Sequence, residues 1–192
     1  AMYLRPDFFD MDHKARNFAY YEQITVRDSS LSAAIQSVLA AEVGHLELAY
    51  DYLWETALVD LADLQGNSAD GMHLAAQAGV WTALVAGFGG MRVADGRVCF
   101  APRLPEALTR LAFSLCYRDR RIYVNIEGPV ASYALKRGKP IAAWHHGQPF
   151  TLGEGDPVEL VIPPLFAGDT PRQPRGREPA RHPSEGNAHK KA

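Results

Sequence analysis

The residues best suited to chemistry lie in the octet GNSADGMH, residues 66–73. It combines the turn- and cap-forming Asn67, Ser68 and Asp70 with His73, which stands at the entrance of a long, almost uncharged stretch. The first N–H groups of a helix lack partners within the helix, and the helix dipole favours negative charge there. A histidine at such a start is typical of an oxyanion site, but an ordinary helix cap with a neighbouring histidine also explains the octet. The octet alone favours the cap and leaves the oxyanion site open.

A second helix start with polar groups occurs at TVRDSSLS, residues 25–32. Here Ser29 and Ser30 supply two hydroxyls, and Arg27 stands just ahead of them. The structural interpretation is a cap in which Asp28 or Ser29 accepts hydrogen bonds from free N–H groups of the helix. If the two helix starts met in space, they would form a convergent anion site. The spacing of the motifs does not establish that they meet.

Other motifs that bind cofactors or metals in some proteins are assigned to structure. The segment GFGGMR, residues 87–92, lacks the preceding strand and following helix of a dinucleotide loop, so it predicts a helix end. His145 and His146 end a strand, where neighbouring side chains point to opposite faces, so a turn with one exposed imidazole is expected rather than a metal site. Cys99 and Cys116 lack CxxC spacing and are expected to be ordinary buried thiols in a reducing cytosol. We therefore predict neither a metal nor an organic cofactor.

The elements that must position these residues are helical in the first half of the chain. Residues 29–64 carry apolar side chains every three or four positions, the period of a helix with one buried face. Gly44 is expected to divide this segment into two helices that turn back on one another. A further helix is predicted from about Gly71 to Phe88, and a shorter one from Lys14 to Tyr21. The helix that ends at Phe88 is apolar nearly all round and needs neighbours on several sides.

Strands are predicted after Arg92, where short runs alternate apolar and polar residues between turns. In one of these runs Leu111, Phe113 and Leu115 face the same way. The fold class is therefore α+β, with a small antiparallel β-sandwich or sheet after the helices. We expect the helices in residues 1–91, the β-domain in residues 92–165, and a disordered tail in residues 166–192, which are polar and rich in proline.

Composition limits the partners. The chain has 192 residues, 47% of them hydrophobic, and a formal net charge of −2, which is typical of a soluble globular protein and gives no reason to expect nucleic acid. The most hydrophobic window, Met72–Phe88, contains His73, Gln77 and Thr82, so it predicts a core helix and no contact with a membrane. No basic, apolar leader opens the chain, and a cytoplasmic location is expected.

At the two helix-start motifs the sequence resembles glycoside hydrolase family 65, the family of the maltose, trehalose and kojibiose phosphorylases and some related hydrolases. Residues 17–92 are similar to the end of the catalytic domain, with YYE, DSSLS, DGMH and GFGGMR in the family's order and spacing. Residues 100–126 are similar to the small β-domain that follows it. The resemblance extends over about residues 1–155. It implies that the helices are the terminal helices of an (α/α)6 barrel.

The resemblance also implies an activity and a site. Family phosphorylases protonate the glycosidic oxygen with a glutamic acid while inorganic phosphate, the co-substrate, attacks the sugar from the opposite face with inversion. The matched positions imply that Ser29, Ser30 and His73 bind phosphate, with Arg27 as a further anion contact. The implied partners are phosphate and a disaccharide such as maltose, trehalose or kojibiose, and the full-length form is expected to be a homo-oligomer.

Three departures from the family pattern bear on activity. Arg27 stands where many phosphorylases have a histidine, which keeps a positive charge but changes its reach. Ala76 stands where a serine is frequent, so phosphorolysis and hydrolysis are harder to separate. The family's general acid is expected upstream of residue 1, and the sequence gives no reason to assign that role to a glutamate of this chain. We therefore expect the isolated chain to be inactive.

The alternative is a non-catalytic, stand-alone protein that binds a carbohydrate or another protein, or serves a structural role. A free module would be expected to carry polar outer faces on Met72–Phe88, and this stretch has almost none. The sequence therefore favours the C-terminal portion of an α-glucoside phosphorylase or hydrolase. It does not identify the disaccharide linkage.

Overall fold

The computed structural model describes residues 1–26, 28–165 and 167–180. Helices form the first half of the described chain and strands the second, which confirms the α+β class. None of the described helices is both long and apolar enough to cross a lipid bilayer. The helices are α1 (Met11–Glu22), α2 (Ser32–Val43), α3 (Leu46–Leu61) and α4 (Leu74–Thr82), with α4 continued by a π-helical segment (Ala83–Phe88).

The break between α2 and α3 lies where the sequence predicts it. Gly44 ends α2 with a φ of 96°, a left-handed conformation that glycine adopts without steric cost. The start of α2 differs from the prediction, because the helix begins at Ser32 without a side-chain cap. The hydroxyl of Ser29 instead accepts a hydrogen bond from the N–H of Leu31 at 3.3 Å, and the Ser29 carbonyl accepts one from Ser32 at 3.0 Å. The two serines therefore lie in a turn just before the helix.

Close packing aligns α4 with α2. Gly79 of α4 lies against Ala34 of α2 and Thr56 of α3, so close that a β-carbon at position 79 would lie 2.7 Å from the β-carbon of Ala34. Further along, Gly87 of the π-helical continuation lies against Val38 of α2, so α2 and α4 run in the same direction. Both helices therefore begin at the same end of the three-helix layer, the end where α3 finishes.

This contact gives a stability prediction. Gly79→Ala is expected to lower the free energy of unfolding by about 1–2 kcal/mol, because the overlap outweighs the gain of about 1 kcal/mol in helix propensity. Gly153→Ala is the control, since a β-carbon at position 153 meets no atom within 4 Å. Urea unfolding of both variants measures the effect. Equal stability of the two variants would contradict the packing described.

Two four-stranded sheets follow the helices in the described residues. The strand order in the first sheet is β1 (Arg92–Ala94), β2 (Arg97–Phe100), β6 (Ile141–His145) and β7 (Gln148–Leu152). The strand order in the second sheet is β3 (Arg110–Tyr117), β4 (Arg120–Glu127), β5 (Val130–Arg137) and β8 (Val158–Val161). Tyr133 of the second sheet packs against Phe100 and Phe150 of the first, with ring centroids 4.9 and 5.0 Å apart. The sheets thus share one core. Pairing is antiparallel except between β2 and β6, which run parallel; the insertion of β3–β5 between them supplies the long connection that a parallel pair requires.

Alternation along β3 corrects one cysteine prediction. Leu111 and Phe113 point into the core, so Cys116, an odd number of residues further on, faces outward and is exposed. Cys99 is half-buried. The expectation of two buried thiols is therefore wrong for Cys116.

An ion cluster joins the helices to the β-layer. The carboxylate of Glu42 in α2 pairs with Lys14 of α1 at 2.7 Å and with Arg92 of β1 at 3.3 Å. Its backbone carbonyl accepts a hydrogen bond from Arg103, between β2 and β3, at 2.7 Å. Burial lowers the pKa of Arg103, although Glu42 opposes this shift. One glutamate therefore connects two helices to two parts of the β-layer.

The described part of the tail makes specific contacts with the helices. Residues 167–180 contain no helix or strand, but they lie against the helices, and Gln173 donates a hydrogen bond to Glu22 at 2.9 Å. Composition predicts disorder here because large apolar residues are absent, whereas specific polar contacts hold the segment. Residues 166 and 181–192, which share the predicted disorder, lie outside the described residues.

Candidate functional site

The start of α4 holds His73 in a fixed orientation. The Nδ1 atom of His73 lies 2.6 Å from Oδ1 of Asp60, and the backbone N–H of His73 donates to Oδ2 of the same carboxylate at 2.9 Å. Gln77, one turn into α4, donates to Asp60 as well, at 3.1 Å. Because a carboxylate accepts, the pair assigns the ring proton to Nδ1 and leaves Nε2 on the opposite edge of the imidazole.

Asp60 is the residue that sequence reasoning missed. It lies in the last turn of α3, where the helix dipole disfavours a negative charge, and this position was the available signal that it has a partner elsewhere. The side-chain hydrogen bond from His73, aided by the backbone N–H of His73 and by Gln77, lowers the pKa of Asp60 below its ordinary value. The carboxylate therefore stays charged and keeps its hold on the ring in mildly acidic solution.

The turn before α2 contributes to a cleft of about 480 Å³. Ser30 lines this cleft together with Asp28 from its own turn and Glu55 and Val59 from α3. Ser29 is exposed and is not among the described residues that line the cleft. Arg27, the predicted anion contact, lies outside the described residues.

The structure brings the two helix starts to the same end of α3. Ser30 shares its cleft with Val59, and the next residue of α3, Asp60, holds His73. His73 is not among the described residues that line the Ser30 cleft. The serine turn and the histidine thus flank the end of α3, and their joint action on one anion stays a prediction.

Carboxylates dominate the Ser30 cleft. Asp28, Glu55 and Glu178 line it, and Arg177 from the tail is the one cation among the described lining residues. Arg177 donates to the carboxylate of Asp28 and, at 2.8 Å, to the carbonyl oxygen of Val26. A phosphate group in this cleft would depend on cations that offset these carboxylates.

The paired histidines form part of the β-domain core. His145 is buried, with Nδ1 2.7 Å from the hydroxyl of Tyr133 and Nε2 3.0 Å from the carbonyl oxygen of Val161. His146 has a φ of 45°, which turns its ring against that of His145, with centroids 4.7 Å apart. Burial, with His145 and Arg103 adding to its effect, lowers the pKa of His146 to about 4. The prediction of one exposed imidazole is wrong, since His146 is half-buried and its left-handed backbone breaks the strand alternation on which that prediction relied.

Two domain models of one protein family match the sequence, one over the helices and one over the sheets. Residues 1–82 match the model of the glycosyl hydrolase family 65 central catalytic domain, and residues 91–152 match that of the family's C-terminal domain. The chain belongs to glycosyl hydrolase family 65. The family resemblance of the motifs around Ser29, Ser30 and His73 is thereby confirmed at the level of the family.

Members of family 65 similar to this chain include phosphorylases. An uncharacterized glycosyl hydrolase of Mycobacterium leprae is 45% identical over 191 residues, 96% of this chain and 24% of that protein. The α,α-trehalose phosphorylase of Thermoanaerobacter brockii is 42% identical over 81% of this chain and 20% of its own length, and the maltose phosphorylase of Bacillus subtilis is 36% identical over 79% and 20%. The chain thus spans about a quarter or less of the length of these relatives.

A solved structure shares the fold. A protein described as a kojibiose phosphorylase, from the human microbiome, superposes on 83% of this chain and 22% of its own with a TM-score of 0.77 at 24% identity. At this identity the likeness concerns the fold alone. It agrees with terminal helices of a catalytic domain followed by a β-domain.

Proposed function

We propose that this chain is the C-terminal portion of an inverting α-glucoside disaccharide phosphorylase, and that Ser29, Ser30 and His73 contribute to its phosphate site. The observation that carries the proposal is the orientation of His73 by Asp60, with Nδ1 and Oδ1 2.6 Å apart, at the start of α4. Similarity to trehalose and maltose phosphorylases supports the substrate class.

The proposed chemistry requires the chain to hold phosphate in line with the sugar. A phosphate oxygen attacks the anomeric carbon while an acid protonates the departing oxygen on the other face, so that β-glucose 1-phosphate and a free sugar form. The Nε2 edge of His73, which donates when both ring nitrogens carry a proton, and the two serine hydroxyls are suitable phosphate partners. Their task is orientation and stabilisation of negative charge.

The general acid in this proposal comes from another part of the catalytic domain. Three candidate glutamates of this chain already have other partners. Glu22 is buried and accepts hydrogen bonds from three side chains, and Glu42 belongs to the ion cluster at the β-layer. Glu55 accepts a hydrogen bond from the backbone of the tail at 2.9 Å. These contacts support a structural role for each.

Exposed apolar side chains weigh against the stand-alone alternative. Leu61 and Leu74, which flank the loop that carries His73, are 84% and 71% exposed, and Met72 within that loop is exposed as well. Large apolar side chains clustered at one end of a helical layer are typical of a surface that other structure covers. The remainder of a barrel domain would provide such a cover.

The test is an assay of the full-length protein with trehalose, maltose and kojibiose, each with and without inorganic phosphate. Phosphate-dependent release of β-glucose 1-phosphate, identified by phosphorus and proton NMR, is the expected result. Phosphate-independent release of glucose would replace the proposal with a hydrolase. No turnover of any disaccharide would favour the non-catalytic alternative.

A further inference from the structure

The described part of the tail, residues 167–180, crosses the α2–α3 pair from one end to the other; we call it the C-terminal strap. It begins beside the turn at Gly44, where Ala167 lies within 3.0 Å of the position a β-carbon on that glycine would take. It ends beside the second half of α3, where the N–H of Ala180 donates to Glu55 at 2.9 Å. The strap therefore reaches the end of the helical layer where α2 and α4 begin.

Buried contacts fix the course of the strap. Pro171 and Pro179 are buried, although the strap forms no regular secondary structure. Between them, Gln173 donates to the carboxylate of Glu22, which is only 3% exposed and also receives hydrogen bonds from α2 and α3. A buried carboxylate needs several hydrogen-bond donors, and the loss of one donor lowers the stability of the fold. The strap supplies one of these donors.

Arg177 places the strap directly on the turn that precedes α2. Its guanidinium donates to the carbonyl oxygen of Val26 at 2.8 Å and to the carboxylate of Asp28. These two acceptors lie on either side of position 27, immediately before Ser29 and Ser30. Both hydrogen bonds come from Nη1, whose two N–H groups can reach two oxygens at once. An isolated exposed ion pair adds little stability, so the contact acts on the position of the turn more than on the stability of the fold.

We propose that Arg177 is a positioning residue for the turn that carries Ser29 and Ser30, and that the C-terminal strap is thereby part of the anion site. The part that concerns phosphate rests on the proposed function. Arg177 fixes the backbone of the turn through Val26 and offsets the charge of Asp28. Without it, the described residues of the cleft would hold three carboxylates and no cation to offset them.

The kinetic test compares Arg177→Ala with Arg175→Ala in the full-length protein. Arg175 has the same charge, lies two residues away in the strap, and makes no hydrogen bond or ion pair with a described residue. Arg177→Ala is expected to raise the KM for phosphate about 10-fold and to leave the KM for the disaccharide unchanged. Arg177→Lys is expected to show a smaller rise in the KM for phosphate, because it keeps the charge but differs in reach and geometry. Arg175→Ala is expected to match the wild type.

Amide hydrogen exchange tests the positioning role without reference to activity. In Arg177→Ala, the amides of residues 26–31 are expected to exchange several-fold faster than in the wild type and in Arg175→Ala. Unchanged exchange would overturn the positioning role even if the protein proves to be a phosphorylase. Faster exchange in a protein without phosphate-dependent activity would support the role of Arg177 in holding the turn and count against the proposed function. If Arg177→Ala instead raises the KM for phosphate and the KM for the disaccharide equally and also lowers the melting temperature, Arg177 has a general structural role and the specific role is overturned.

Discussion

Replacement of His73 by alanine is expected to lower kcat/KM for phosphate about 100-fold or more in the full-length protein. Misplacement of a reacting group can cost about 100-fold in rate, and in the proposed reaction His73 positions phosphate, the nucleophile. His73 is preorganised because Asp60 accepts from both its ring and its backbone N–H. Steady-state rates at varied phosphate and fixed disaccharide concentration measure the loss.

A matched control for this variant lies in α1. His13 also contacts a carboxylate through Nδ1 and its backbone N–H, both with Asp10, at 2.8 and 2.7 Å. His13→Ala removes the same type of pair from an exposed helix start and is expected to leave the phosphate kinetics unchanged. Equal kinetics for His73→Ala and His13→Ala would show that the start of α4 has no role in phosphate use.

The variant Asp60→Asn keeps the His73 side chain but removes the carboxylate that orients it, so it tests the orientation alone. The amide has nearly the shape of the carboxylate but cannot accept from both nitrogen donors as a charged group does, so the ring loses its fixed tautomer and position. We expect kcat/KM for phosphate to fall about 10- to 100-fold, by analogy with other groups that orient a functional histidine. A larger loss than that of His73→Ala would indicate that Asp60 acts on substrate directly and not through the histidine.

The largest effect on stability is expected at Glu42. Glu42→Ala leaves Lys14 and Arg92 largely buried without their shared carboxylate, and removing one partner of such a cluster costs about 3–5 kcal/mol. Glu42→Gln keeps the size and one acceptor and is expected to lose less, which provides a folded variant if the alanine variant does not fold. Urea unfolding, followed by circular dichroism, gives the free energies.

The control for Glu42 is Glu47→Gln. Glu47 is exposed in the first turn of α3, where its contribution through the helix dipole is below about 1 kcal/mol. A loss at Glu42 no larger than that at Glu47 would contradict the account of the cluster as the joint between helices and sheets.

Periodic features of the fold could be predicted from the sequence, because each is encoded over many residues. The apolar period of residues 29–64 gives α2 and α3, and the glycine at position 44 gives the turn between them. The alternation of apolar and polar residues predicts the strands that flank the tight turns. The parallel pair of β2 and β6 could not be predicted, since it depends on which strands meet after a long insertion and not on any local pattern.

Single long-range contacts escaped sequence reasoning for the same reason. Asp60 carries no motif, and its role is visible only once α4 folds back on α3. The strap is poor in apolar residues, yet Gln173 and Arg177 each find a charged partner on the helices. At His146 the φ of 45° changes the direction of the ring, and alternation could not foresee it. The family motifs identified the candidate phosphate residues, while the residues that position them came from the structure.

The most direct test of the central claim is the equilibrium affinity of the full-length protein for inorganic phosphate, measured by titration calorimetry. Ser30→Ala and His73→Ala are each expected to weaken binding about 10-fold or more, since a hydrogen bond to a charged group contributes about 1.5–3 kcal/mol. Ser114→Ala, on β3 of the second sheet, is the control and is expected to bind phosphate as the wild type does. The same affinity in all four proteins would contradict a phosphate site at the starts of α2 and α4.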